Sequence, residues 1–155
     1  MNKLTKPQPE TKAVPLAYTG PITLAVAHQA ITGGVEQALR LGVAVSLAVL
    51  DAGGVLKAFA RMDGAEIAGE VLAVDKAYTA VAHRAATADL AGLAVAGGEL
   101  FGLHAAGHGR YVLFGGGLPV VLDSVVRGGI GVSGGTAEQD MSCAQAVLET
   151  LLGAL

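Results

Sequence analysis

The sequence predicts a single α/β domain in which helices pack on one five-stranded, mostly antiparallel sheet, with the order α-β-β-α-α-β-β-β-α. Three observations predict this class. The 155 residues are the usual size of one domain. The β-type segments come in pairs joined by short turns, and such hairpins connect antiparallel neighbours, whereas parallel strands need long crossovers. A composition that is 52% hydrophobic and 15% charged supplies enough apolar surface for a core and excludes an intrinsically disordered chain.

The amino-terminal part predicts an arm followed by a helix. Residues 1–18 are rich in Lys, Pro, Gln and Thr, so we expect a flexible arm before a domain over residues 19–155. The first helix is predicted to begin near Pro21, with Thr19 or Gly20 as its cap. The residues expected to face the core recur at helical spacing: Leu24, His28, Ile31, Val35, Ala38 and Leu39.

The middle of the chain predicts a hairpin and two helices. The apolar segments 43–50 and 55–62 flank a Gly-containing turn, which is typical of a β-hairpin. A helix is expected over residues 66–84, and Thr87 is expected to cap a short helix that ends near Ala96. The glycine- and histidine-rich segment 97–117 is predicted to be a loop that contains one strand over residues 110–114.

The carboxy-terminal part predicts a second hairpin and a well-capped helix. Segments 119–122 and 126–133 are β-like and are joined by a turn at Asp123-Ser124. Thr136 and Gln139 match a capping box, which predicts that the last helix begins there. Residues 129–134 match G-x-G-x-x-G, but only one helix follows, so no βαβ unit for a dinucleotide is completed. We interpret these glycines as positions where backbones lie too close for a Cβ atom.

Composition also limits the partners and the compartment. The net charge of −3 argues against a basic surface that would bind nucleic acid. Cys143 is the single cysteine, so it cannot form an internal disulfide. The N-terminus lacks the apolar run of a signal peptide, and polar residues and prolines interrupt segment 13–35, so we expect no membrane span and a cytoplasmic protein. The low charged fraction predicts a homo-oligomer that buries apolar surface between copies.

Two kinds of side chain are candidates for chemistry. His104 and His108 are four residues apart, but the glycines beside them favour a loop, and no zinc signature surrounds them. One histidine beside an apolar pocket is sufficient as an axial haem ligand, although on the stripe of the first helix a core histidine is more common. Lys76 is either a buried base or Schiff-base amine, or a structural lysine paired with Asp75, Asp51 or Asp63. Amides at Gly134, Gly135 and Thr136 are candidates for binding an anion at a helix N-terminus.

Three blocks of the sequence resemble one family. They are VLDAGG with FARMDGA in segment 49–65, DKAYTA at 75–80, and GGGLPV, GGIGVSGG and QD in segment 115–140. In this order, over residues 21–152, they resemble the GlcG/HbpS-like family, which includes the C-terminal domain of PduO-type proteins. The resemblance implies an α/β sandwich with a five-stranded antiparallel sheet, self-assembly into dimers or larger oligomers, and haem binding in some members. Segment 101–111, FGLHAAGHGRY, departs from the family pattern because histidines replace a plainer loop.

The first functional hypothesis is therefore an oligomeric protein that binds haem or a related tetrapyrrole. His28 is the first candidate for the iron ligand, followed by His104 and His108. Cationic side chains and backbone amides are candidates for the propionates: Arg61, Lys76, Arg110, Gly134 and Gly135.

The alternative is a small enzyme that acts on a carboxylate or carbonyl metabolite. Lys76 with Asp51 or Asp63 would then transfer a proton, and His104 or His108 would be a second acid or base. One observation discriminates the two, namely whether Lys76, Arg61 and the loop histidines converge on one pocket. A third possibility is a subunit whose sole activity is assembly, which predicts only surface grooves.

Overall fold

The computed structural model describes residues 20–155, so the predicted arm over 1–18 and the predicted cap Thr19 lie outside the described residues. Two short 3-10 turns, Leu103–Ala105 and Gly107–Gly109, lie between α3 and β3. The helices and strands are α1 Leu24–Leu41, β1 Ser46–Asp51, β2 Leu56–Arg61, α2 Ala68–His83, α3 Thr87–Leu93, β3 Gly117–Leu122, β4 Val125–Ser133 and α4 Ala137–Gly153. No helix within these residues is both long enough and apolar enough to cross a membrane.

The strands form one antiparallel sheet in the order β2-β1-β4-β3. In the central strand β1, Leu47 and Val49 pack in the cluster that contains α1 and α4, whereas Ala48 and Leu50 pack against α2. Successive side chains of a strand point to opposite faces, so the sheet separates α1 and α4 from α2. The fold therefore has three layers.

The sheet has four strands within residues 20–155, so the fifth strand predicted over 110–114 is wrong. The N–H of Val112 donates to Thr79 Oγ1 at 3.0 Å, and Arg110 Nε donates to Asp75 Oδ1 at 2.9 Å. Both acceptors belong to α2. Because these bonds hold the segment on the helix, its backbone does not join the sheet.

The first helix begins and turns differently from the prediction. Its cap is Thr23, whose side chain accepts a hydrogen bond from Val26 N, rather than Gly20 or Thr19. Ile31 and Ala38 are buried as predicted, but the other buried positions are the small residues Ala27, Ala30 and Gly34, while Leu24, His28 and Leu39 are exposed. A Cβ atom on Gly33 would lie 2.8 Å from Ala146 O of α4. The small residues thus let α4 approach closely, and this selects the buried face of α1.

Two threonines near helix starts have different roles. Thr136 and Gln139 form the predicted capping box, with Thr136 Oγ1 accepting from Gln139 N and Gln139 Oε1 accepting from Thr136 N. Thr87 is not the predicted cap of α3, because it lies inside the first turn and the cap position is Ala86. The buried Thr87 hydroxyl instead accepts from Gly117 N at 2.9 Å, which links α3 to the start of β3.

The glycines of β4 allow α2 to lie directly on the strand, which confirms their interpretation as close-approach positions. A Cβ atom on Gly131 would overlap Ala73 O and would lie 2.6 Å from Ala77 N. A Cβ atom on Gly129 would overlap Ala77 O. The small side chains of α2 and the glycines of β4 therefore form one close contact between helix and sheet.

The buried Cys143 predicts how stability depends on pH. Burial raises the pKa of its thiol from 9.0 to about 11. Between these values the unfolded chain loses a proton that the native state keeps, so the free energy of unfolding falls as the pH rises. Relative to Cys143→Ala, the wild type is expected to lose stability in this range. Urea unfolding of both proteins below and above the unfolded pKa measures the difference, and an identical pH response would contradict the burial of the thiol.

Candidate functional site

The three histidines singled out by sequence lie in different surroundings. His28 is exposed on α1, in the layer that packs with α4. His108 is exposed in the second 3-10 turn, with φ 60°. His104 is also exposed; it lies in the first 3-10 turn and lines a groove on the other side of the sheet, beside α2 and α3. The structure therefore does not bring His28 together with His104.

This groove, called the His104 groove below, has a volume of about 490 Å³. That volume lies within the range of roughly 300–1,000 Å³ that is usual for small-molecule pockets. Among the described residues that line it, none is acidic, lysine or arginine. The lining residues are Leu72, Ala91, Ala94, Val95, His104, Gly109, Tyr111, Val112, Leu113 and Phe114. The groove thus combines an apolar wall with one imidazole.

One side of the groove is fixed by contacts between segment 110–112 and α2. Besides its bond to Asp75, Arg110 places its guanidinium 3.5 Å from the centroid of the Tyr78 ring. Tyr111 stacks beside Tyr78, with 6.2 Å between ring centroids, and forms a T-shaped pair with His83, with 4.8 Å between ring centroids. A guanidinium over an aromatic face and stacked rings are favourable contacts that hold a loop in one position. Tyr111 therefore reaches the groove on a rigid support.

Lys76 lies behind the groove and is fully buried. Its Nζ donates to Asp140 Oδ2 at 2.7 Å and to Val132 O at 2.9 Å, and lies 4.7 Å from the ring centroid of Phe114. Burial lowers the pKa of Lys76 below its usual 10.5, and the hydrogen bond and charge of Asp140 oppose that shift. The carboxylate partner of Lys76 is thus Asp140, and not Asp75, Asp51 or Asp63.

The other residues of the enzyme hypothesis are used elsewhere. Asp51 Oδ1 accepts from the amides of Gly53 and Val55 in the hairpin turn, and Asp51 Oδ2 lies 3.9 Å from Lys57 Nζ. Arg61 donates to Ala65 O and lines a different groove of about 450 Å³, together with Asp63 and residues of α1. Arg61, the buried Lys76 and His104 therefore do not converge on one pocket within residues 20–155.

The amides at the start of α4 are also occupied. Gly135 N donates to Asp140 Oδ1 at 2.8 Å, and Thr136 N donates to Gln139 Oε1 at 2.9 Å. Gly134 has φ 146°, and a Cβ atom there would lie 2.5 Å from Ala44 O. Gly134 therefore serves a close approach to the chain before β1, and the amides of Gly135 and Thr136 are not free to hold a propionate.

Two parts of the site were missed by reasoning from the sequence. Asp140 was noted only as part of a family block, although its carboxylate binds Lys76 and Gly135 N. The contact between Tyr78, Arg110 and Tyr111 was also missed. Segment 110–112 packs on α2 and is not a strand, so the alternation of residue types along it does not predict this contact. Within residues 20–155, no cluster of three or more His, Cys, Asp or Glu side chains is arranged to hold a metal ion.

Comparison with known proteins identifies relatives along most of the chain. A relative with 40% identity over 128 residues is the uncharacterized 15.0 kDa protein of the dhaT-dhaS intergenic region of Citrobacter freundii, and the match spans 83% of this chain and 90% of that protein. The corrinoid adenosyltransferase PduO of Salmonella typhimurium is 39% identical over 124 residues, which is 80% of this chain but 37% of PduO. The chain therefore spans little more than a third of PduO.

Solved structures and a family model agree with this result. The crystal structure of a PduOC–haem complex superposes with a TM-score of 0.81 at 37% identity, covering 83% of this chain and 94% of that one. The model of the family described as haem degrading protein HbpS-like matches residues 22–149. Since this match includes most of the chain, the protein belongs to the HbpS-like family, as its sequence blocks predicted.

Proposed function

We propose that the protein binds haem, or a closely related tetrapyrrole, in the His104 groove. The observation that carries the proposal is that a single imidazole, that of His104, lies in a wall without formal charge. Haem needs one axial ligand from the protein and an apolar surface for its macrocycle. The PduOC relative, whose structure contains haem, supports this class of ligand.

Different residues would bind the iron, the macrocycle and a propionate of the haem. His104 would ligate the iron, and the apolar side chains of Leu72, Val95 and Phe114 would cover the macrocycle and exclude water. Arg110 does not line the groove, but it lies between the lining residues Gly109 and Tyr111. It is the cation proposed for a propionate, because its side chain is 38% exposed and only its Nε is used by Asp75. When bound, haem would supply an iron centre whose reactivity depends on this apolar wall.

The other candidates suit this role less well. His28 does not line the groove, although the sequence ranks it first. Lys76 is buried and paired with Asp140, so it is not free to bind a propionate. We further propose that the protein self-associates, because several large apolar side chains are exposed, among them Ile67, Val71 and Phe101.

A titration with haemin tests the proposal. We expect the Soret band to shift with the wild type, with His28→Ala and with His108→Ala, because these proteins keep the groove ligand. In His104→Ala we expect the shift to be lost or the affinity to fall by at least about 10-fold, since the iron loses its axial bond. His28→Ala and His108→Ala are matched controls, because both remove an exposed imidazole.

Two results would contradict the proposal at different levels. The absence of a Soret shift with the wild type would contradict haem binding itself. A shift that is lost in His28→Ala and kept in His104→Ala would contradict the assignment of the groove, while haem binding would stand.

A further inference from the structure

A second pocket lies at the end of α2, where the two β-hairpins turn. It has a volume of about 600 Å³ and is called the hairpin pocket below. Its walls come from the β1–β2 turn at Gly53, from the β3–β4 turn at Ser124, and from Tyr78, Val81 and Arg84 at the end of α2. It shares no lining residue with the His104 groove. Haem binding in that groove therefore leaves this pocket without an assigned role.

The hairpin pocket carries one unpaired positive charge. Arg84 is the single charged side chain among the described residues that line it. Its guanidinium has no ion pair or hydrogen bond to any residue in the described range 20–155, whereas Arg110, Arg61 and Arg40 each donate to a protein acceptor. A free arginine in a concave site offers a planar fork that fits a carboxylate.

Two lining residues adopt a backbone conformation that favours glycine. In residues 20–155, four non-glycine residues have positive φ, and two of them, Arg84 at 54° and Ser124 at 63°, line this pocket. Arg84 ends α2 at a position where glycine commonly stops a helix without strain. Strained residues of this kind concentrate at functional sites. Here the strain places a guanidinium and a hydroxyl on the wall of a pocket.

A rigid aromatic surface completes the pocket. The ring of Tyr78 contacts the guanidinium of Arg110, which is itself held by Asp75. On Gly54, a Cβ atom would lie 3.1 Å from the Cδ2 and Cε2 atoms of the ring, so the hairpin turn also lies close to it. The ring therefore has little freedom to move, and a flat ligand would meet a surface that is already positioned.

We propose that the hairpin pocket binds a small planar carboxylate. The carboxylate would accept hydrogen bonds from the guanidinium of Arg84, and the flat body would contact Tyr78, Val81 and Val126. The hydroxyl of Ser124 would bind a second polar group of the ligand. This combination selects an organic acid over an inorganic anion, because an inorganic anion has no apolar body for the aromatic wall.

Amide NMR with benzoate as the probe tests the proposal. We expect benzoate to shift the amide resonances of Gly53, Gly54 and Ser124 in the wild type. Arg84→Gln is expected to weaken binding by at least about 10-fold, because the charge-assisted hydrogen bonds are lost. Arg84→Gly is expected to weaken it equally, and this variant keeps the helix end because glycine adopts positive φ without strain. Arg40→Gln, at an exposed position of α1, is the matched control, and this variant should bind benzoate as the wild type does.

Two further probes separate charge from shape. Benzamide keeps the ring without the charge, and inorganic phosphate keeps a negative charge without the ring, so both are expected to bind at least about 10-fold more weakly than benzoate. Unchanged amide resonances at saturating benzoate, equal affinities in the wild type and both Arg84 variants, or phosphate binding as tight as benzoate would each overturn the proposal.

Discussion

Replacing Asp140 by alanine is expected to lower the free energy of unfolding by about 3–5 kcal/mol, because it leaves a buried charge without its partner. Lys76 is fully buried, and its Nζ has one carboxylate partner, Asp140 Oδ2, at 2.7 Å. The same substitution removes the acceptor for Gly135 N. Urea unfolding of the wild type and Asp140→Ala measures the difference.

A surface pair and a double variant provide controls for this prediction. Asp75→Ala removes the partner of Arg110, a partly exposed arginine, and is expected to cost about 1 kcal/mol or less. Lys76→Met combined with Asp140→Leu removes both charges and should regain much of the stability lost in Asp140→Ala. If Asp140→Ala costs no more than Asp75→Ala, the buried pair does not stabilise the fold in this way.

The ion pair also connects the core to the proposed haem groove. Lys76 Nζ lies 4.7 Å from the ring centroid of Phe114, and Phe114 lines the groove. The pair joins α2 and α4, which lie on opposite faces of the sheet. The ion pair therefore lies directly behind Phe114, one wall of the groove.

Replacing Gly131 by valine is expected to destabilise the fold by roughly 3 kcal/mol or more, because overpacking between a helix and a strand cannot be relieved by rotation of a side chain. The added Cβ would overlap Ala73 O and would lie 2.6 Å from Ala77 N, which are backbone atoms of α2. Thermal unfolding, together with the soluble yield, measures the effect.

Gly92 of α3 is the matched control for Gly131. Its Cβ would meet no atom within 4 Å. Gly92→Ala is therefore expected to be neutral or to stabilise by up to about 1 kcal/mol, since alanine is the better helix former. If Gly131→Val were as well tolerated as Gly92→Ala, α2 would not lie directly on β4.

The parts of the fold that depend on residues close together in the sequence could be predicted. The turn at Asp123-Ser124 and the capping box of Thr136 and Gln139 are encoded within a few residues, and both form as predicted. Segment 110–114 has the composition of a strand, but its partners Asp75 and Thr79 lie more than 30 residues earlier. Periodicity cannot detect such a partner, so the predicted fifth strand was wrong.

The candidate site could be predicted only in its components. His104 and Lys76 were singled out by residue type, whereas the partner of Lys76 is 64 residues away, on a helix of another layer. His28 was ranked first because spacing placed it on the apolar stripe of α1. The contact of Gly34 with Leu47 and Val147 turns a different face to the core, and that contact depends on tertiary packing.

The central claim is that His104 binds the iron of haem in an apolar groove beside α2. A crystal structure of the haem-loaded protein, with the iron located from its anomalous scattering, tests it most directly. The claim predicts an iron atom bonded to a ring nitrogen of His104, with the macrocycle against Leu72, Val95 and Phe114. Iron located at His28, or at any site that leaves these groove residues uncovered, would contradict it.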